Sequence, residues 1–128
     1  MKLLLDTHAL IWAVDEPTRL GPGALQAVQN QSNELWVSAG TIWEVSIKIG
    51  IGKLSLSLPY LDWMKRAIIE LNASVLPISL EHADRQSSLP FHHRDPFDRL
   101  LAAQALCENI ALVSCDDVFD QYSLTRLW

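Results

Sequence analysis

The sequence predicts an α/β fold, one domain over residues 1–128 with a mainly parallel central sheet of four to five strands and helices on both faces. Three observations predict it. Lys2–Leu5 and Ile110–Val113 are short apolar runs without polar alternation, the pattern of strands covered on both sides, and Glu34–Val37 is a further short strand candidate. Segments of helical periodicity fill the intervals between them. A chain of 128 residues, 49% hydrophobic and 20% charged, suits one domain with its own core.

The first strand, Lys2–Leu5, stops at the polar pair Asp6-Thr7, and Ala9–Val14 continues as a short helix broken near Pro17. Gly21–Asn30 fits a second helix and Glu34–Val37 a short strand. Ser38 can cap a third helix over residues 39–50, whose apolar stripe is Ile42, Val45 and Ile49. Leu54, Leu56 and Leu58 alternate with serines, which predicts an extended connector. Pro59 opens a helix to about Leu71. Ala73–Ile78 reads as a strand that Pro77 curtails, and Leu80–Ser87 as a helix. Asp95-Pro96-Phe97-Asp98 is a helix start, with Asp95 as N-cap, Pro96 in the first helical position and Asp98 at the third, as in a capping box. Ile110–Val113 is a buried strand ending at Ser-Cys-Asp, and Ser123–Trp128 offers an edge strand.

Composition narrows the function. Cys107 and Cys115 form neither a CxxC pair nor a disulfide framework, which suits a reducing cytosol. Asp6 and His8 interrupt the apolar N-terminus, and no stretch is long and apolar enough to span a membrane, so the expectation is a cytoplasmic protein. A net charge of −5 and pI of about 5.2 argue against nucleic-acid binding through a broad basic surface. They leave room for an acidic site that cations neutralise.

Four acids are placed to form such a site. In an open parallel sheet, ligands bind beyond the carboxyl ends of the strands. Asp6 and Asp116 follow two strands, Asp98 lies in the first turn of a helix and Glu44 one turn into another, and helix N-termini in this architecture often point at the same rim. Converging carboxylates repel unless a cation neutralises them, and hard oxygen donors select Mg²⁺ or Mn²⁺. Such ions can activate a water for attack at phosphorus. Each acid also has an ordinary reading. Asp6 can simply cap its helix, Asp98 can complete a capping box, and Asp116 can be a turn acid beside Asp117 and Asp120. Glu44, four residues before Lys48 and opposite the apolar stripe, can be half of an exposed Glu–Lys pair.

The motifs also resemble a known family. Leu-Leu-Asp6-Thr-His, Ser-Ala-Gly-Thr-Ile-Trp-Glu44, Asp95-Pro-Phe-Asp98-Arg-Leu-Leu-Ala-Ala-Gln and Leu-Val-Ser114-Cys-Asp116 resemble, in order, the four motifs of PIN domains, from Leu3 to about Tyr122. The single-domain length and the Asp95-Pro-Phe-Asp98-Arg segment resemble the VapC toxins of bacterial type II toxin–antitoxin systems. That resemblance implies a Mg²⁺- or Mn²⁺-dependent endoribonuclease acting on RNA, a homodimer, and inhibition by a small VapB-like antitoxin. It implies Asp6, Glu44, Asp98 and Asp116 as catalytic metal ligands, with Ser114 supporting the last acid or a water. Asp95 reads chiefly as a cap, and Asp117 falls outside the pattern.

His92-His93-Arg94 can reach substrate phosphates or form a solvated loop, the latter being the expectation, and His8 can lie near the site or at the surface. Arg99 can orient the acids, touch substrate or sit in a structural ion pair. Most of the five tryptophans are expected in the core, with one or two left to line a groove for a partner helix; Leu54–Tyr60 is the other candidate interface. The competing functions are a Mg²⁺-binding receiver-like phosphotransfer domain and a non-catalytic RNA- or protein-binding domain. Receiver domains resemble one another in carrying paired acids after the first strand, and here Thr7 follows Asp6.

Overall fold

The computed structural model describes residues 1–128. Five strands form one sheet: β1 (Lys2–Leu5), β2 (Glu34–Ser38), β3 (Ser74–Leu76), β4 (Ala111–Val113) and β5 (Arg126–Leu127). Their order is β3-β2-β1-β4-β5, and every neighbouring pair is parallel. Six α-helices surround it: α1 (Thr7–Asp15), α2 (Pro22–Gln29), α3 (Ala39–Gly50), α4 (Tyr60–Glu70), α5 (Leu80–Ser88) and α6 (Pro96–Glu108). Short 3-10 turns cover Pro17–Arg19 and Asp117–Tyr122.

The alternation of β1 sorts the core into two layers. Leu3 and Leu5 face a cluster that takes in Leu10 of α1, Ala24 of α2, Val45 of α3, and Trp63 and Met64 of α4. Leu4 faces the other side, against Leu101 and Ala102 of α6, Leu112, Phe119 and Tyr122. All three leucines are fully buried, which explains why β1 reads as an unbroken apolar run. No helix is long and apolar enough to cross a membrane.

The tryptophans depart from expectation. Trp63 alone is fully enclosed; Trp12, Trp36 and Trp128 are half-buried at the margins, and Trp43 is 63% exposed. Leu54 and Leu56 of the connector pack on the core, whereas Leu58 is left largely exposed.

Strand order reverses between β1, the central strand, and its neighbour β4. In such a sheet the connections leave β1 and β4 in opposite directions and open a crevice at their carboxyl ends.

Candidate active site

Asp6 is the residue next after β1, and its backbone N–H extends the ladder to Val113 O at 3.1 Å. It stands beside Ser114, which follows β4 and is fully buried. Asp116 comes two residues later, its N–H donating to Ser114 Oγ at 3.0 Å. Glu44 enters from α3, which starts directly after β2 with Ser38 as its cap. Asp98 enters from the first turn of α6. The four acids meet in a 260 Å³ cavity that Thr7, His8, Lys48, Asp95 and Cys115 also line. A wider concavity, 890 Å³, lies elsewhere, where β2 and β3 begin, and gathers no comparable set of charged groups.

Asp6 does both things its position allows. Its Oδ1 accepts the Ala9 N–H at 2.8 Å, capping α1, and its carboxyl still lines the cavity. Burial raises its pKa. Ser114, the Ala9 N–H and His8 oppose that rise, and the charge of Asp116 adds to it.

Glu44 is not the exposed helix partner of Lys48. It is 4% exposed, accepts the Thr7 hydroxyl on Oε1 at 2.6 Å, and pairs with Lys48 Nζ through Oε2. The Glu–Lys pair exists, but it points into the cavity. Burial pulls the Lys48 pKa down; the bond to Glu44 and the charges of Glu44, Asp95 and Asp98 outweigh it, so the net direction is up.

Asp95 caps α6 by accepting the N–H groups of Phe97 and Asp98 at 2.7 and 3.2 Å. The reciprocal bond of a capping box is not formed at Asp98; α5 has one instead, between Ser79 and His82. The Asp98 carboxyl is free to face the cavity. Burial there pushes its pKa up to about 6, with Asp95, Glu44 and Asp116 adding repulsion and His93 opposing.

Thr7, His93 and Arg99 have contacts that sequence reasoning did not anticipate. Thr7 and Lys48 hold the two oxygens of Glu44 from positions 37 and 4 residues away. His93 does not belong to a solvated loop: its side chain is 9% exposed, stacks on Tyr122, and bonds Asp116 Oδ2 at 2.7 Å. A tight signal for it existed only in its place just before the Asp95 cap. Arg99 makes no ion pair with the acids. It is buried and donates to the main-chain carbonyls of Gln86, Leu89 and Pro90, with Phe91 lying across its guanidinium at 3.8 Å. His8 is exposed at the cavity edge and leans on Trp12.

The donor chemistry suits a hard divalent cation. Five carboxyls line the cavity against one lysine, and burial, with repulsion from Asp95, Glu44 and Asp116 added, raises the Asp98 pKa there. Ligating atoms of His93, Asp98 and Asp116 lie within 4.8 Å of one another, near enough to share one ion.

The PIN domain family matches residues 3–124. Ribonuclease VapC22 of Mycobacterium tuberculosis (strain ATCC 25618 / H37Rv) is 30% identical over 115 residues, which cover 89% of this chain and 86% of that protein. The crystal structure of VapBC2 from Rickettsia felis, bound to a DNA fragment from their promoter, contains a chain that aligns over 98% of this one and 97% of its own length. Its TM-score is 0.70 at 18% identity. A toxin–antitoxin complex from Klebsiella pneumoniae aligns at TM-score 0.58 and 19% identity, over 90% of this chain and 87% of that one. At those identities the two solved structures speak for the fold alone.

Proposed function

This chain belongs to the PIN domain family, and we propose that it is a metal-dependent endoribonuclease, the toxin of a toxin–antitoxin pair, in which Asp6, Glu44, Asp98 and Asp116 hold Mg²⁺ or Mn²⁺. The observation that carries this reading is the convergence of these four acids, drawn from four distant segments, in one cavity at the strand-order reversal. The name of the M. tuberculosis relative supports ribonuclease chemistry, and restraint by a small VapB-like antitoxin belongs to the same proposal.

Each side chain has a task that its contacts define. Thr7 and Lys48 fix both oxygens of Glu44, so that acid is held before any ligand arrives. Capping α1 limits the rotation of Asp6, and Ser114 tethers the turn that carries Asp116. A divalent ion bound among them supplies the Lewis acidity that polarises a phosphodiester and lowers the pKa of an attacking water. Once the carboxylates are neutralised, Lys48 is the one lysine at the cavity for a phosphate oxygen to meet. RNA binding then needs no broad basic surface, in keeping with the net charge of −5.

The test is cleavage of single-stranded RNA in Mg²⁺ or Mn²⁺. EDTA abolishes it, and Asp6→Asn and Glu44→Gln each lower the rate about 100-fold or more. An Asp6→Asn protein that cuts like wild type makes the ligand assignment wrong. Expression of the chain without a partner arrests growth, and an unharmed host refutes the toxin role.

A further inference from the structure

We propose that His93, anchored by Tyr122, is the positioning residue that sets the carboxylate of Asp116 for the cation. This rests on the metal-dependent reading above and assigns a role to a side chain outside the four acids.

The hydrogen bonds define a directed chain. The Tyr122 hydroxyl oxygen accepts the main-chain N–H of His93 at 2.9 Å. Its own proton is therefore available to His93 Nδ1, also at 2.9 Å. In the neutral tautomer that this bond selects, with Nδ1 accepting, Nε2 carries the ring proton and faces Asp116 Oδ2 at 2.7 Å; in the protonated ring Nε2–H donates to the same oxygen. The other oxygen of Asp116 accepts the Val118 N–H at 3.0 Å. Both carboxylate oxygens are thus tied from behind, and each keeps a lone pair for the cavity.

The chain is rigid because of what surrounds it. The His93 ring lies parallel to Tyr122, at 3° and 5.5 Å between centroids, and against Phe119 at 4.5 Å. Phe119 and Tyr122 are buried and belong to the core layer under α6. Asp116 is thereby referred to the hydrophobic core through an imidazole, although its own side chain is 38% exposed. Groups that hold a ligating carboxylate in this way reduce the ordering that metal binding has to supply.

The experiment is Mn²⁺ titration of the purified chain, followed by electron paramagnetic resonance. His93→Phe keeps a ring between Phe119 and Tyr122 and removes both nitrogens; its Mn²⁺ affinity falls about 10–100-fold. His93→Gln supplies an N–H donor again and recovers most of that loss. Tyr122→Phe removes only the hydroxyl and gives a smaller fall in the same direction; it also serves if His93→Phe does not fold. Mn²⁺ affinity equal to wild type in His93→Phe, or in a folded Tyr122→Phe, overturns the proposal. A spin-echo nitrogen coupling in wild type that His93→Phe lacks also overturns it, because His93 would then be a ligand itself. Wild-type protein that binds no Mn²⁺ refutes the metal reading, a different result from wild-type binding that His93 does not affect.

Discussion

Asp98 is the acid whose surroundings most oppose its charge, and the sign of that opposition has consequences for stability. Its carboxyl is held at about 6 against an ordinary 3.8, so between these values the folded chain binds a proton that the unfolded chain has released. Stability of the metal-free protein therefore falls as pH rises through that window. Asp98→Asn removes the buried charge and its repulsion from the other acids, and at neutral pH it stabilises the metal-free chain by about 1 kcal/mol, a figure reduced for the partial exposure of the side chain. The gain fades as pH drops to about 4. Thermal melts in chelator across this range check the prediction; a neutral-pH melting temperature no higher than wild type refutes it. Glu44 makes a contrast at the same scale. Its helix position and Lys48 four residues on were legible, but its burial was not, because its second partner is Thr7, 37 residues away. The same separation in sequence hid the His93–Asp116 bond, which spans 23 residues.

At the scale of elements, the rim depends on how α3 and α6 are seated. Gly40, in the first turn of α3, has no room for a side chain: an added Cβ would meet Leu100 Cδ2 of α6 at 2.4 Å and Ser38 Oγ at 3.3 Å. Leu100 is 8% exposed, so its retreat disturbs packed neighbours. Gly40→Ala costs about 1–3 kcal/mol through overpacking, and Leu100→Ala in the same chain shrinks that increment, a non-additivity that a double-mutant cycle measures. Arg99 does the corresponding work for the segment before α6. Its three bonds to main-chain carbonyls clasp the stretch that ends α5 and carries His93 toward the cavity. Arg99→Met lowers stability by about 2–4 kcal/mol and raises hydrogen exchange in residues 89–95. If exchange there is unchanged, the clasp is not what orders the segment. Backbone carbonyls explain why Arg99 was misread: they carry no residue-type signature, so a sequence offers only the acids as partners. The helices and strands were legible because their signals are local. Continuous apolar runs marked β1 and β4, and Ser38 and Asp95 marked two helix starts, whereas β3 stops at Leu76, before Pro77 and two residues short of the expected Ala73–Ile78 strand.

For the whole molecule, the acidic rim makes stability and ligand binding one property. Asp6 and Asp116 follow strand ends, Asp98 lies in the first turn of α6 and Glu44 in the second turn of α3, so the fold that assembles the cavity also brings like charges together. Burial raises the pKa of Asp6 as well as Asp98, and their mutual neighbours add to the effect. The unfolded chain has no such cluster. A cation that binds the cluster therefore stabilises the folded state alone, by about 2.7 kcal/mol at a hundred times its Kd. For a domain of this size that corresponds to a melting temperature higher by roughly 5–10 °C. The rise saturates with Mn²⁺ or Mg²⁺ concentration and is lost in Asp6→Asn. It also weakens as pH falls through about 6, because protons then compete at Asp98 for the same oxygens. General salt screening behaves otherwise, since Na⁺ at equal ionic strength would give the same shift and Asp6→Asn would keep it. Scanning calorimetry over matched ionic strengths separates the two, and a shift that Na⁺ reproduces removes the argument for a specific cation site.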